Sequence, residues 1–233
     1  MSIIAANLQA VEATIEAAAQ AAGRARTEVQ LLAVSKTFPA QAVLEAMAAG
    51  QHAFGENYLQ EALEKIEHVA RAQPEASVEW HFIGPIQSNK TRPIATGFAW
   101  VHTVERLKIA QRLSEQRPPE LGPLNICLQV NISGEASKSG ASEAELPELA
   151  RAVAALPNLR LRGLMAIPEQ SSQPAQQRAA FARLRQLSDA LRAGGLALDT
   201  LSMGMSGDMA AAIAEGATIV RVGSAIFGAR NYE

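Results

Sequence analysis

A lysine closes the run Leu31-Leu32-Ala33-Val34-Ser35-Lys36, immediately before Thr37-Phe38-Pro39. Four apolar residues followed by a small polar one have the pattern of a buried parallel strand reaching its carboxyl end. An amine held there sits at the mouth of a core rather than in open water. Desolvation disfavours the ammonium form, and the free amine can then condense with a carbonyl group. The chain has five lysines (Lys36, Lys65, Lys90, Lys108 and Lys138) against sixteen arginines, and only Lys36 directly follows such a run. A solvated lysine that merely ends a strand remains the alternative at this point.

Two further segments carry small polar donors. Leu201-Ser202-Met203-Gly204-Met205-Ser206-Gly207-Asp208 places Ser206 where it could open a helix, offering a hydroxyl and backbone N–H groups at the positive end of the helix dipole. Val220-Arg221-Val222-Gly223-Ser224 repeats the arrangement with Gly223 and Ser224, glycine letting backbone approach a ligand closely. A plain N-cap serine and a plain turn glycine are the competing readings. Arg221 stands in an otherwise apolar strand, so its charge must be paired. A carboxylate such as Glu56 or Asp208 is one partner to expect; a ligand heteroatom is the other.

The elements that would position these residues alternate steadily. Strands are expected at 29–34, 52–54, 78–83, 99–102, 124–130, 159–166, 200–203 and 218–222, with helices near 40–49, 57–71, 88–96, 105–116, 142–155, 175–193 and 206–215. Gly50, Gly97, Gly122, Gly194-Gly195 and Gly216 fall where these helices should stop. An amphipathic helix precedes them all, with Ile4, Leu8, Val11, Ile15, Ala18 and Ala22 on its apolar face. Eight strands alternating with helices predict a single (β/α)8 TIM barrel, one domain over 1–233. The other candidate, a doubly wound open sheet, would want a Gly-x-Gly-x-x-Gly turn after its first strand, and none is present. In a barrel the site lies at the carboxyl ends of the strands, and phosphate is often held after the last two. Lys36, Ser206, Gly223 and Ser224 all fall there.

Composition narrows the partners. The 233 residues are 48% hydrophobic and 19% charged with a net charge of −2, the profile of a globular protein with a substantial core. No lysine-rich block points to nucleic acid or an anionic membrane. No apolar stretch is long enough to span a bilayer, and the first helix lacks the pattern of a signal peptide. The one cysteine, Cys127, lies in an apolar run and can form no internal disulfide. A cytoplasmic location is expected, and the sequon Asn131-Ile132-Ser133 is read as without meaning. His81 and His102 end strands without a metal-ligand cluster around them, so a structural role is expected for His81 and no metal. Lys90 and Lys138 are placed in loops on the ligand face.

Lysine, anion cup and buried arginine together describe a site for pyridoxal 5′-phosphate (PLP): an imine, a phosphate grip and a partner for the pyridine nitrogen. The chain resembles the YggS/PROSC family of PLP-binding homeostasis proteins, also called PLPBP. The resemblance rests on Ala33-Val34-Ser35-Lys36-Thr37, Phe54-Gly55-Glu56-Asn57-Tyr58, the stretch from Trp80 to Lys90, Arg162-Gly163-Leu164-Met165, Leu201 to Ser206, and Val220 to Ser224. It implies a barrel like the amino-terminal domain of alanine racemase (PLP fold type III), with PLP as a Schiff base on Lys36. It also implies that Ser206, Gly223 and Ser224 take the phosphate and that Arg221 faces the pyridine nitrogen. Asn57 would lie beside the ring, with Met203 and the segment around Met165 walling the pocket. Many relatives carry threonine at Ser224, and serine keeps the hydroxyl.

The implied function is intracellular PLP homeostasis without robust amino-acid turnover. Racemisation needs a second proton-transfer group opposite Lys36, and none is evident in the sequence. Nor does an arginine readily protonate the pyridine nitrogen. The expected partners are PLP itself and PLP-dependent apoenzymes, and the expected oligomeric state is a monomer. A racemase-like PLP enzyme and a Schiff-base aldolase without PLP are the alternatives.

Overall fold

The computed structural model describes residues 2–133, 139–169, 171 and 173–229. Lys138 lies outside them, so the expectation for that loop lysine concerns a residue with no described position. Eight parallel strands close into a barrel in sequence order, β8 pairing with β1. They are β1 (Gln30–Val34), β2 (Ala53–Glu56), β3 (Glu79–Phe82), β4 (Trp100–Val104), β5 (Leu124–Gln129), β6 (Leu159–Met165), β7 (Thr200–Ser202) and β8 (Ile219–Val222). The helices are α1 (Ile3–Ala21), α2 (Ala40–Ala48), α3 (Leu59–Ala72), α4 (Thr91–Gly97), α5 (Leu107–Gln116), α6 (Leu146–Ala154), α7 (Pro174–Ala193), α8 (Met209–Ala214) and α9 (Ser224–Phe227). The barrel and the order of its elements agree with the sequence reading.

Two differences bear on the site. β2 extends to Glu56, past the expected end at 54, because the ladder to β3 continues through the Glu56–Phe82 pair. A glutamate can end this buried strand because Lys65 of α3 neutralises it. The helix after β7 begins at Met209 rather than at 206, with Asp208 as its N-cap. Ser206 therefore occupies the preceding turn and does not open the helix.

The first helix completes the ring. The final helix α9 is a single turn, too short to cover β8 and β1, and α1 packs against α2, α8 and α9 in that gap. Its apolar stripe of Leu8, Val11, Ile15 and Ala19 is buried there, as helical spacing requires. Most of the core lies between strands and helices. A small separate cluster of Leu32, Ala53, Trp100, Cys127, Met165 and Ile219 fills the barrel interior. Between these apolar residues the interior holds His81, His102, Ser202 and Arg221, all buried. Layers of branched apolar side chains are the usual filling, so this polar content needs a reason.

Candidate functional site

The end of β1 is held by a group of charged side chains. Lys65 Nζ donates to the Ser35 carbonyl oxygen (2.9 Å), to Glu56 Oε1 (2.6 Å) and to Glu61 Oε1 (2.9 Å). The Ser35 hydroxyl donates to the same Glu56 oxygen at 2.6 Å, and Glu61 Oε1 accepts the Thr37 N–H at 2.7 Å. The residues on both sides of Lys36 are thus pinned. Thr37 adopts φ +69°, a left-handed turn that a threonine takes only under constraint. This turn ends the strand and leaves Lys36 on the wall of a cavity at the carboxyl end of the barrel. Burial pushes the Glu56 carboxyl above its ordinary range, against the opposing pull of Lys65.

The cavity has a volume of about 660 Å3, within the usual span for small-molecule sites. Lys36, Asn57, Ser206, Arg221, Gly223 and Ser224 all line it, joined by Met165, Met205, Gly207 and Asp208. The sequence-expected residues are therefore brought together, with one exception. Met203 is fully buried among the side chains between barrel and helices, beside Leu201. Side chains alternate along a strand, so Ser202 points inward and Met203 outward; Met205 reaches the wall that Met203 was expected to form.

Asn57 Oδ1 is buried without a hydrogen-bond partner among the described residues, a state that invites a ligand donor. Its backbone position depends on Gly84. A Cβ at Gly84 would lie 2.2 Å from the Asn57 carbonyl oxygen, so only glycine lets the end of β3 pass this close. Gly223 is similarly tight: a Cβ there would lie 3.1 Å from the Val34 carbonyl oxygen. Ser206 sits exposed at the cavity rim, and Asp208 Oδ1 accepts the Met205 N–H at 2.6 Å, bracing that turn.

Arg221 has neither carboxylate partner proposed for it. Its Nη1 donates to the Ser202 carbonyl oxygen (2.7 Å) and to Ser202 Oγ (2.8 Å), and its Nη2 to the Ala166 carbonyl oxygen (3.1 Å). Glu56 instead serves Lys65, on the helix side of the sheet. Burial pushes Arg221 down to about 10, with Asp208 opposing, so the guanidinium is still cationic at neutral pH. Three bonds of the five N–H groups of a guanidinium leave two without partners among the described residues. Both belong to a side chain on the cavity wall.

His81 and His102 are neutral interior residues. Burial lowers both, His102 well below its ordinary value. Among the described residues no group of three or more His, Cys, Asp or Glu could hold a metal ion. Cys127 is also interior, its thiol pushed up to about 12 by burial. Among the described residues no helix is long and apolar enough to cross a membrane.

The sequence reading missed Lys65, Glu61 and Ser202. A signal for Lys65 existed: it stands on the stripe Ala62-Lys65-Val69, the buried face of α3, four residues after Glu61. A lysine on an apolar helix face must meet a carboxylate. Ser202 is signalled only by inward alternation on β7.

The residues present fit a ligand that combines a carbonyl, an anionic group and an acceptor heteroatom. Lys36 suits the first and Arg221 the last, with small polar groups at the rim between them. Known proteins resemble the chain over nearly its whole length. The family model described as "Alanine racemase, N-terminal domain" matches residues 6–231. A "Pyridoxal phosphate homeostasis protein" of Pseudomonas aeruginosa is 66% identical over 232 residues, covering 100% of this chain and 98% of its own length. The Escherichia coli K12 protein of the same description is 56% identical over 235 residues, covering 100% and 99%. The solved structure of PipY from Synechococcus elongatus with PLP bound superposes with a TM-score of 0.82 at 36% identity, covering 97% of this chain and 100% of that one. With relatives this similar over their full lengths, the chain belongs to the YggS/PROSC family of pyridoxal phosphate homeostasis proteins, within the alanine racemase amino-terminal domain family.

Proposed function

We propose that this chain holds PLP as a Schiff base on Lys36 and serves PLP homeostasis in the cytoplasm, without robust amino-acid turnover. The observation that carries this is the single cavity that gathers Lys36, Asn57, Ser206, Arg221, Gly223 and Ser224 at one end of the barrel. The description shared by the relatives and the PLP bound in the PipY structure support it.

In this reading Lys36 supplies the amine, and Ser206, Gly223 and Ser224 take the phosphate. Arg221 meets the pyridine nitrogen, and Asn57 Oδ1 lies beside the ring. Bound PLP supplies an electron sink for substrate carbanions. This chain weakens that chemistry in two ways. A cationic arginine donates a hydrogen bond to the ring nitrogen without giving up its proton. Among the described cavity residues the further acid–base candidate is Asp208, and its Oδ1 is engaged by the Met205 N–H. Neither feature furnishes the opposed second base that racemisation needs. Lys36 therefore holds the cofactor, for passage to PLP-dependent apoenzymes, by a chain acting as a monomer.

The first test is the absorption spectrum of the purified protein with added PLP, beside Lys36→Ala. An imine band that vanishes on borohydride reduction, and is missing in the variant, is the expected result. The same band in both proteins would overturn the Lys36 linkage. Substrate-dependent deuterium uptake at the α-carbon of an amino acid in D2O would favour the racemase-like reading instead. Size-exclusion chromatography with light scattering checks the monomer.

A further inference from the structure

One continuous chain of hydrogen bonds crosses the barrel interior and ends on Arg221. At the amino-terminal end of the barrel, Glu79 Oε1 lies 2.8 Å from His81 Nε2. His81 Nδ1 lies 2.8 Å from His102 Nε2, and His102 Nδ1 lies 2.8 Å from Ser202 Oγ. Ser202 Oγ in turn accepts from Arg221 Nη1 at 2.8 Å. Four strands, β3, β4, β7 and β8, contribute to it.

The chain has one direction. It is set at Glu79, whose carboxylate only accepts, so His81 carries its proton on Nε2. Neutral His81 then has a bare Nδ1, which accepts from His102 Nε2–H. That leaves His102 Nδ1 bare to accept the Ser202 O–H, while Ser202 Oγ accepts from the donor-only Arg221. Glu79 closes the series as a carboxylate, held down to about 2 chiefly by the His81 hydrogen bond. Each buried donor meets an acceptor with both imidazoles neutral, as burial requires.

Such a series is not what stability would select for a barrel interior. Desolvating two imidazoles, a hydroxyl and a guanidinium is unfavourable, and apolar side chains of similar volume are often at least as stable. What the chain does accomplish is to fix the Arg221 guanidinium. Its Nη1 is held on both Ser202 oxygens and its Nη2 on Ala166. Every neighbour along the way is neutral until Glu79, so no carboxylate touches the arginine and competes for its remaining N–H groups.

We propose that Glu79, His81, His102 and Ser202 are positioning residues that lock Arg221 as an oriented, donor-only partner for the pyridine nitrogen of bound PLP. This rests on the cofactor reading above and adds the four residues that enforce it. The amino-terminal end of the barrel thereby sets the electronic state of a cofactor bound at the opposite end.

Two measurements test it. The first uses the wild-type protein without ligand, with 15N-labelled histidine assigned by substitution. Both His81 and His102 should be Nε2–H tautomers from pH 8 to pH 6, and either ring found as Nδ1–H or doubly protonated would overturn the chain. The second uses PLP labelled with 15N in the ring. Ser202→Ala and His102→Phe should move the ring-nitrogen resonance in the same sense and speed PLP release about tenfold, the size of one lost charge-assisted hydrogen bond. Ser202→Thr, which keeps the hydroxyl, should restore both. A folded Ser202→Ala protein with unchanged resonance and release rate would overturn the proposal. A wild type with no imine band would instead sink the cofactor reading, while the tautomers still report on the chain.

Discussion

The Lys65 ammonium lies 2.6 Å from the Glu56 carboxylate, behind the strand end that presents Lys36. Both side chains are almost fully buried, and the same ammonium binds the carbonyl of Ser35. The pair therefore braces the backbone on which the site lysine stands.

Removing one member strands the other. Lys65→Met should destabilise the fold by about 3–5 kcal/mol, the usual penalty for an uncompensated buried charge. Adding Glu56→Gln should recover much of that loss, because the two residues are coupled. Urea denaturation of the single and double variants measures the coupling. PLP uptake should fall in both, since neither restores the bond to the Ser35 carbonyl. Additive losses with normal PLP uptake would show that the pair does not brace Lys36.

Gly84 gives a second prediction, from steric contact alone. A methyl group would lie 2.2 Å from the Asn57 carbonyl oxygen, and a backbone atom cannot yield as a flexible side chain would. Gly84→Ala should displace the segment from Asn57 and weaken PLP binding far more than Gly207→Ala, where a Cβ meets nothing within 4 Å. Equal affinities in the two variants, read by titration of the imine band, would refute this.

The barrel was legible because parallel strands buried on both faces read as unbroken apolar runs. Lys36 was legible for the same reason, as the lysine that directly ends such a run. The features that were not legible depend on distant pairing. The end of β2 was misplaced because Glu56 looks like a loop residue until Lys65, nine positions later, is seen folded over it. Ser206 and Asp208 are both cap-forming types, and only the fold shows that Asp208 takes the N-cap. Met203 and Ser202 exchange faces on a shift of one residue. The partnership of Ser202 with His102, 100 positions away, has no local signature.

Helix α1 supplies a stability prediction. It fills the place beside β8 that the single-turn α9 leaves uncovered, and Ile15 is fully buried in its stripe. Ile15→Ala should lower stability by about 2–5 kcal/mol through lost burial and the cavity left behind. Ile3→Ala, at a residue 81% exposed on the same helix, should change it by less than about 0.5 kcal/mol. Similar denaturation midpoints for the two variants would mean that α1 does not belong to the cooperative unit.

The neutral histidine pair predicts how stability depends on pH. Folded, His81 and His102 are both lowered by burial, so neither takes up a proton where free histidine does, near 6.5. The unfolded chain does take up those protons, and the state that binds more protons gains as pH falls. Stability is therefore full above about pH 6.5 and declines below it, with a limiting slope of about 2.7 kcal/mol per pH unit for two sites. Glu79, held down to about 2 from 4.5, adds a further loss below pH 4.5. Glu56 works in the opposite sense, because its folded carboxyl binds a proton more readily than its unfolded one. Comparison with His102→Gln separates these contributions, since Glu56 and Glu79 remain in both proteins. Urea denaturation measured from pH 7.5 to 5 should show the variant losing less stability per pH unit than the wild type, by up to the contribution of one site, about 1.4 kcal/mol. Identical slopes would mean that His102 takes up its proton in the fold as it does in the unfolded chain, and the one-way chain to Arg221 would fall with it.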